Sequence, residues 1–343
     1  TITLEDYRLR LSTYRLDPNL RRAHQQHPFI AIWDDHESAN DSWVGGAENH
    51  DPATEGDWED RKAASRQAYF EWMPIRQDGI SIARTLRYGP LLDLVMIDTR
   101  LEGRDEQIFN IADPALYAPD RTLLGADQKA WLKDQLATSE AQWKVIGNQV
   151  IFSEFNIGFA ALLDPTTTPE ALESIFLDIW DGYPAERSEL VNFLADSEIE
   201  DVVFITGDFH SSFAFEVADP VLLNPLYDPT TGNGAVAVEF ATPSISAANF
   251  DENIGSTTSD LLEMVINQPL LTPMGPVNFN PHLKFVDLDQ HGYFVLSLSP
   301  GAVQADYYYL ADILVAETIE SWGGGVFSET GTTLLRPAPA PAP

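Results

Sequence analysis

Apolar residues at the start of the chain recur every three or four positions, the spacing of one face of an α-helix: Leu4, Tyr7, Leu11 and Tyr14. Thr3 and Asp6 precede this face at the spacing of a capping box and predict a helix that begins just after Thr3. Asp17 followed by Pro18 predicts the N-cap and first residue of a second helix, which runs to about His27.

Helical patterns and short apolar runs alternate along the rest of the chain. Further helices are predicted to begin near Asp57, Ala126, Thr168 and Pro184. Strands are predicted at residues 29–33, 80–89, 91–100, 143–152, 201–206, 212–218, 235–241, 283–289, 293–299 and 302–310. The second and third of these are expected to form a hairpin that turns near Gly89. The alternation predicts an α/β or α+β fold with layered sheets.

Neither an internal repeat nor a clear linker divides the chain, so we expect one domain over residues 1–335. The final LLRPAPAPAP predicts an extended Pro/Ala-rich tail or linker stub at residues 336–343. The first residues show no signal-peptide pattern and are already helical, so the chain is expected to begin inside a domain.

The net charge of the chain limits the classes of molecule that it is expected to bind. Its 343 residues carry 53 acids against 20 bases, a formal net charge of −33, and such a surface lacks the basic footprint of a nucleic-acid binder. The sequence has no run of about 20 apolar residues, so no membrane span is predicted. The absence of cysteine excludes disulfides and thiolate metal sites. An anionic substrate would be repelled at long range, so phosphate chemistry here would need metal ions or local arginines.

Two apolar runs end in acids and a histidine. FIAIW leads into Asp34, Asp35 and His36, and VVFIT leads into Asp208 and His210. If both runs are strands of one sheet, their carboxyl ends can bring the two clusters together. Asp208 and His210 are two apart, so on a strand both side chains would face one crevice. Carboxylates and imidazole suit divalent and trivalent metals, so a metal site is predicted.

Other readings of single residues stay open. Arg100 follows a predicted strand and can either clamp a phosphate or pair with an acid. Ser211 and Ser212 follow the second cluster, but no G-x-S-x-G elbow frames them as nucleophiles. Asn40 and Asp41 are interpreted as turn residues.

Seven stretches of the chain resemble the catalytic domain of the PhoD-like alkaline phosphatases, within the calcineurin-like metallophosphoesterase superfamily. They are IAIWDDHESAND, RTLLGADQKAWL, WKVIGNQVIF, WDGYPAERSELVNFL, VVFITGDFHSSFA, VEFATPSIS and NPHLKFVDLDQHGY. The resemblance covers about Thr3 to Leu310. It implies a four-layer αββα sandwich and a multinuclear centre of iron with calcium.

The resemblance also implies roles for single residues. Asp35, with Asp34 beside it, Asp208 and His210 take the places of metal ligands, and His36 takes that of the catalytic histidine. Three further residues lie in family stretches or at a strand end and are expected near the substrate: Arg100, Asn148 and His282. The family places an immunoglobulin-like domain, a GD-x-x-YE type motif and an iron-binding Cys before the first helix. None of them is in this chain, so an N-terminally incomplete catalytic domain is expected.

The predicted function is metal-dependent hydrolysis of phosphate esters, of the alkaline phosphatase D type, through a metal-activated hydroxide that releases inorganic phosphate. Two alternatives remain: a phosphodiesterase or phospholipase D-like hydrolase on the same fold, and an inactive, acidic, cation-binding extracellular module. The expected partners are small phosphate esters or diesters rather than nucleic acid. The family and the acidic surface favour a secreted or periplasmic protein, and a monomer is expected.

Overall fold

The computed structural model describes residues 1–76, 81–162, 166–222, 224–316 and 318–343. The chain divides into two compact units, which are described separately. Unit 1 consists of Thr1–Arg84, Met96–Gln107 and Thr122–Trp131. Unit 2 consists of Thr85–Val95, Ile108–Arg121 and Leu132–Pro343. Across the described ranges, no helix combines the length and the apolar character needed to cross a membrane.

Unit 1 is mainly helical. Its helices are α1 (Leu4–Tyr14), α2 (Pro18–Gln26), α3 (Pro52–Glu55), α4 (Trp58–Trp72) and the N-terminal part of α5 (Gly125–Thr138). Three of the predicted starts are confirmed by side-chain caps. Thr3 and Asp6 form a capping box on α1, Asp17 caps α2, and Asp57 caps α4. These caps satisfy amides that the first helical turn leaves without a partner.

Helices α1 and α4 hold the segment that follows the first acidic cluster. The hydroxyl of buried Tyr7 on α1 donates to the carbonyl of Ser38 at 2.6 Å. Nε of Arg61 on α4 donates to the same hydroxyl at 3.2 Å. The segment around residue 38 is therefore fixed by a hydrogen-bonded pair of buried helix residues.

The apolar run at residues 29–33 does not form the predicted buried strand. Residues 28–34 have no regular secondary structure, and Phe29 and Ile30 are exposed. Trp33 is buried and packs edge-on against Tyr69, with ring centroids 5.5 Å apart. The Ala31 carbonyl accepts a hydrogen bond from the Arg84 guanidinium at 2.7 Å. The prediction was wrong because apolar residues can bury themselves against a helix, whereas a strand also needs a backbone partner.

The strands lie in unit 2, apart from the end residues Arg84 and Met96. They are β1 (Arg84–Tyr88), β2 (Leu92–Met96), β3 (Trp143–Gly147), β4 (Val202–Thr206), β5 (Ser212–Val217), β6 (Ala237–Ala241), β7 (Leu270–Thr272), β8 (Gly275–Val277), β9 (Leu283–Asp287), β10 (Gly292–Leu298), β11 (Ala302–Leu310), β12 (Glu320–Glu329) and β13 (Arg336–Pro337). A seven-stranded sheet has the order β1-β2-β3-β4-β6-β5-β9, a four-stranded sheet runs from β10 to β13, and β7 pairs with β8. Strands β3, β4 and β6 are parallel, and β5 is antiparallel to both of its neighbours.

The two larger sheets pack against each other through aromatic residues of β11. The Tyr307 hydroxyl donates to the carbonyl of Phe213 on β5 at 2.6 Å, and its ring stacks on Phe285 of β9 with centroids 4.6 Å apart. The Tyr309 hydroxyl donates to Ser212 Oγ at 3.0 Å. Unit 2 therefore has two stacked sheets, and the predicted mixed α/β class with layered sheets is confirmed.

Helices accompany these sheets. They are the rest of α5, α6 (Pro169–Glu173), α7 (Pro184–Asp196), α8 (Phe250–Ile254) and α9 (Ser256–Val265), with short 3-10 helices at Pro114–Tyr117, Gly158–Leu162 and Trp180–Gly182. The predicted starts at Thr168 and Pro184 are confirmed, whereas α8, α9 and β12 were not predicted. Strand β12 contains three consecutive glycines, a pattern typical of a loop. A Cβ at Gly323 would lie 2.1 Å from the Tyr309 ring, so a glycine is required there by packing.

Several predicted strand boundaries shift, and the strand expected at residues 91–100 ends at Met96, so Arg100 does not directly follow a strand. The strand expected at residues 143–152 ends at Gly147, and the hairpin expected from residue 80 begins at Arg84, with residue 80 itself outside the described residues. The Pro/Ala-rich tail at residues 336–343 packs onto the four-stranded sheet. It begins as β13, paired with β12, and the Ala342 amide donates to Asp306 Oδ2 at 2.9 Å.

Candidate metal centre

Asp34 and Asp35 lie directly after the buried Trp33 in unit 1. Asp35 is 5% exposed, and its carboxylate accepts hydrogen bonds from the backbone amides of His36 (2.7 Å) and Asp41 (2.9 Å). An oxygen of Asp34 and an oxygen of Asp35 lie within 4.8 Å of each other. Two carboxylates this close repel each other unless a cation lies between or beside them, so the pair is suited to a metal ion.

Asp34 is held from two sides. Its amide donates to Glu37 Oε2 at 2.7 Å, and its Oδ1 accepts a hydrogen bond from Nε of the fully buried Arg100 at 2.6 Å. Burial, together with the charges of Asp34 and Asp35, raises the pKa of Glu37 to about 7 against the effect of that amide. The observed contact of Arg100 is the pairing with an acid. Its role as a phosphate clamp stays a prediction.

His36 differs from its neighbours because it faces water. Its side chain is 78% exposed, and Nε2 lies 2.9 Å from Asn40 Oδ1 and 3.9 Å from Asp35 Oδ2. Asn40 Nδ2 in turn donates to Glu48 Oε2 at 2.6 Å. The ring is thus accessible to a substrate while one nitrogen is engaged by a neighbouring amide.

The second cluster lies in unit 2, after the end of β4. Asp208 and His210 both have left-handed backbone conformations, with φ of 61° and 59°. The strand has already ended at Thr206, so strand alternation does not orient these side chains. Phe209 between them packs into an aromatic group with Phe155, Phe176, Phe213 and Phe250. Left-handed non-glycine residues are strained and concentrate at functional sites.

The ring orientation of His210 is suited to metal binding. Its Nδ1 lies 2.8 Å from the carbonyl oxygen of Ala248. A carbonyl can only accept, so in the neutral ring Nδ1 carries the proton and Nε2 keeps its lone pair. Histidines that bind metals are commonly held this way by a backbone carbonyl on the other nitrogen.

Asn148 and Gln149 lie beside this turn, because β3 and β4 are parallel neighbours. The Gly207 amide donates to the Gln149 carbonyl and the Asn148 amide to the Ile205 carbonyl, both at 3.0 Å. The side chain of Asn148 is buried and bonds to Val150 and Trp180. A contact of Asn148 with substrate stays a prediction.

His282, Ser211 and Ser212 have structural contacts. His282 is fully buried, its Nε2 lies 2.7 Å from the Glu154 carbonyl oxygen, and burial lowers the pKa of the ring to about 3. Ser211 and Ser212 are also fully buried, with Ser211 donating to the Leu288 carbonyl at 3.3 Å. Neither serine has the exposure that a nucleophile needs. A substrate contact of His282 stays a prediction.

Glu239 on β6 supports the second cluster and was not singled out from the sequence. Its buried carboxylate accepts hydrogen bonds from the amides of Phe152 and Ser153, both at 2.8 Å, and from Thr206 Oγ1 at 2.6 Å. It thereby ties the end of β4 to the loop after β3. Its place inside the VEFATPSIS stretch was the available sequence signal.

The model of the PhoD-like phosphatases matches residues 1–307 of this chain. The chain belongs to the PhoD-like phosphatase family. The predicted resemblance to this family is confirmed. Alkaline phosphatase D of Bacillus subtilis (strain 168) is 32% identical over 316 residues, which cover 89% of the chain and 48% of that protein.

A solved structure described as a structure of PhoD has the same fold. It superposes with a TM-score of 0.79 at 29% identity, covering 100% of this chain and 60% of the other. The present member of the PhoD-like family therefore spans about half the length of its curated relative.

Proposed function

We propose that this chain carries metal ligands and a catalytic histidine of a metal-dependent phosphoesterase of the alkaline phosphatase D type. The supporting observation is the pair Asp34 and Asp35, two neighbouring carboxylates with oxygens within 4.8 Å in a chain of the PhoD-like family. The relative named alkaline phosphatase D supports this activity, and the chain covers 48% of its length.

Asp34, Asp35, Asp208 and His210 are the proposed metal ligands, and iron with calcium are the proposed ions. The donor set fits such ions, because carboxylate oxygens suit hard cations and a neutral imidazole Nε2 suits iron. Bound ions would supply positive charge to the phosphate oxygens and lower the pKa of water. The ring of His210, with Nδ1 on the Ala248 carbonyl, already presents the nitrogen that ligation needs.

The chain's own side chains have distinct proposed tasks. Arg100 orients Asp34 through the hydrogen bond from its Nε. His36, which is 78% exposed whereas Asp35 beside it is buried, donates a hydrogen bond toward the leaving oxygen of the ester. A positioned group of this kind contributes about 10²–10⁴-fold in rate. Phe209 and the rings that surround it pack beside the second cluster.

The test is metal analysis and hydrolysis by the full chain. Asp208→Asn and His210→Ala are each expected to lose bound metal and activity while the far-ultraviolet circular dichroism stays unchanged. His36→Ala is expected to keep the metal and to slow turnover. Asn49→Ala is the control, since Asn49 is an exposed residue of unit 1, like His36.

Different outcomes favour the alternatives. Equal metal content in wild type, Asp208→Asn and His210→Ala would contradict the ligand assignment. Faster hydrolysis of bis-nitrophenyl phosphate than of nitrophenyl phosphate would indicate a diesterase. Metal binding without esterase activity, and no effect of His36→Ala, would favour the cation-binding module. Secretion is proposed on the family and the acidic surface alone, and is tested by locating the protein in fractions of the cells that make it.

A further inference from the structure

His36 is the first member of a chain of side-chain hydrogen bonds in unit 1. Its Nε2 lies 2.9 Å from Asn40 Oδ1, and Asn40 Nδ2 donates to Glu48 Oε2 at 2.6 Å. The sequence analysis interpreted Asn40 as a turn residue and did not consider Glu48. Their contacts give both residues a connection to the proposed catalytic ring.

Glu48, the last residue in this series of hydrogen bonds, determines the orientation of the other two side chains. An ionised carboxylate can only accept hydrogen bonds, so Glu48 must face the amino group of Asn40. The Asn40 oxygen then faces His36, and Nε2 of His36 must carry the proton. With the Asn40 amide turned over, two acceptors would lie 2.6 Å apart at Glu48. The network thus selects one tautomer of neutral His36.

The backbone holds both supporting residues in place. The Glu48 amide donates to the Asn40 carbonyl at 3.0 Å, so these two residues are joined by their main chains as well as their side chains. At the other end, the His36 amide donates to Asp35 Oδ1 at 2.7 Å. An imidazole that is 78% exposed would otherwise rotate and exchange tautomers freely in water.

We propose that Asn40 and Glu48 are positioning residues that keep Nε2–H of His36 on the Asn40 oxygen. The proton that the charged ring gives to the leaving oxygen is then the one on Nδ1, and the neutral ring that remains is the Nε2–H tautomer. Nδ1 has no hydrogen-bond partner among the residues that the structure describes. The identity of the ligand at Nδ1 rests on the proposed function. The tautomer of His36 and the roles of Asn40 and Glu48 do not depend on the proposed function.

The tautomer is measured directly by long-range ¹H–¹⁵N correlation spectra of the full chain labelled with ¹⁵N-histidine, at a pH where the imidazole is neutral. The His36 signals are assigned with His36→Gln. Wild type is expected to show a protonated Nε2 and an unprotonated Nδ1. A spectrum with the proton on Nδ1, or an average of both forms, would overturn the proposal.

Three variants test the two supports. Asn40→Ala and Glu48→Ala are expected to shift His36 toward an average of both tautomers. Glu48→Gln retains an oxygen that can accept from Asn40, so it should remain closer to wild type than Glu48→Ala. Asn49→Ala, on the same loop and with no side-chain hydrogen bond within the described ranges, should leave the His36 signals unchanged. Unchanged signals in Asn40→Ala would contradict the role of Asn40.

Hydrolysis of nitrophenyl phosphate separates this proposal from the proposed function. If the enzyme is active, Asn40→Ala should lower kcat about tenfold with KM nearly unchanged, since the ring is present but less often correctly oriented. A fixed Nε2–H tautomer in an inactive protein would support the positioning network and contradict the esterase. An averaged tautomer in an active protein would contradict the network and leave the esterase standing.

Discussion

The guanidinium of Arg100 is fully buried and donates from Nε to Oδ1 of Asp34 at 2.6 Å, while the Asp34 side chain remains 27% exposed. One partner is therefore out of water and the other can still reach a ligand. This arrangement fixes the direction of the Asp34 carboxylate. It also makes the arginine dependent on its partner, because a buried charge without a counter-charge is costly.

Arg100→Met is expected to lower the free energy of unfolding by about 2–3 kcal/mol. This is low for the loss of a buried ion pair, because the Asp34 carboxylate left behind is partly hydrated. Urea unfolding followed by circular dichroism measures this. Arg8→Met is the matched control, since Arg8 pairs with Glu71 at the surface with side chains 40% and 35% exposed. It should cost less than about 1 kcal/mol. Equal losses in the two variants would contradict the structural role assigned to Arg100.

Much of the fold was predictable where the signal is local. The caps at Thr3, Asp17 and Asp57 are short side-chain patterns that act on the next few residues, and each begins a helix as predicted. The structure of residues 29–33 was not predictable in this way, because strand formation depends on a partner strand elsewhere in the chain. Trp33 is buried against α4 instead, with Ala31 and Ile32 partly buried beside it, while Phe29 and Ile30 stay exposed.

The candidate site shows the same division. The acids and histidines could be found from their clustering, since several of them directly follow an apolar run. The partners of Arg100 and Glu239 could not, because each pairs with residues more than 30 positions away. The contact of His36 with Asn40 is only four residues apart, yet it depends on a turn geometry that residue types alone do not specify.

Left-handed backbone at Asp208 predicts a conflict between stability and function. Asp208→Gly removes a conformational cost of about 1 kcal/mol, partly offset by lost side-chain contacts, and should abolish metal binding. Glu198→Gly is the control. Glu198 has φ of 51°, is exposed and follows the end of α7, where glycine is preferred. It should raise stability by about 1 kcal/mol without changing metal content.

The comparison of the two glycine variants is decisive. Urea unfolding in the presence of a chelator gives the stabilities, and metal analysis of the purified proteins gives the stoichiometry. Loss of metal in Glu198→Gly, or retention in Asp208→Gly, would argue against the second cluster as a ligand site.

Glu239→Gln is expected to destabilise unit 2 although the two side chains have nearly the same shape. Either orientation of the new amide would place its NH₂ group against a backbone N–H of Phe152 or Ser153, which now donate to the carboxylate. A buried amide left without an acceptor costs about 1–3 kcal/mol. Urea unfolding measures the loss, and hydrogen exchange should be faster at these two amides.

Thr206→Val is the control for Glu239. It removes one donor to the carboxylate and leaves both backbone amides paired, so it should cost less than Glu239→Gln. If Glu239→Gln were as stable as wild type, with exchange at residues 152 and 153 unchanged, the carboxylate would not be what holds the loop after β3.

The pH dependence of stability should carry opposite contributions from two buried groups of unit 2. Burial lowers the pKa of His282 from 6.5 to about 3. Between these values the unfolded chain binds the extra proton, so the His282 contribution to stability is lost as pH falls. Burial raises the pKa of Glu173 from 4.5 to about 7, so here the folded chain binds the extra proton and stability is lost as pH rises.

His282→Gln and Glu173→Gln separate the two contributions, measured by urea unfolding with a chelator from pH 4.5 to 6.5, where both windows overlap. The stability of wild type minus that of His282→Gln should increase with pH, by at most about 1.4 kcal/mol per unit. The same difference for Glu173→Gln should decrease with pH, and by less, because Glu173 is only half-buried and water screens its charge. Since the two slopes have opposite signs, each variant is the control for the other. Slopes of the same sign would show that burial does not set the protonation of at least one of these groups.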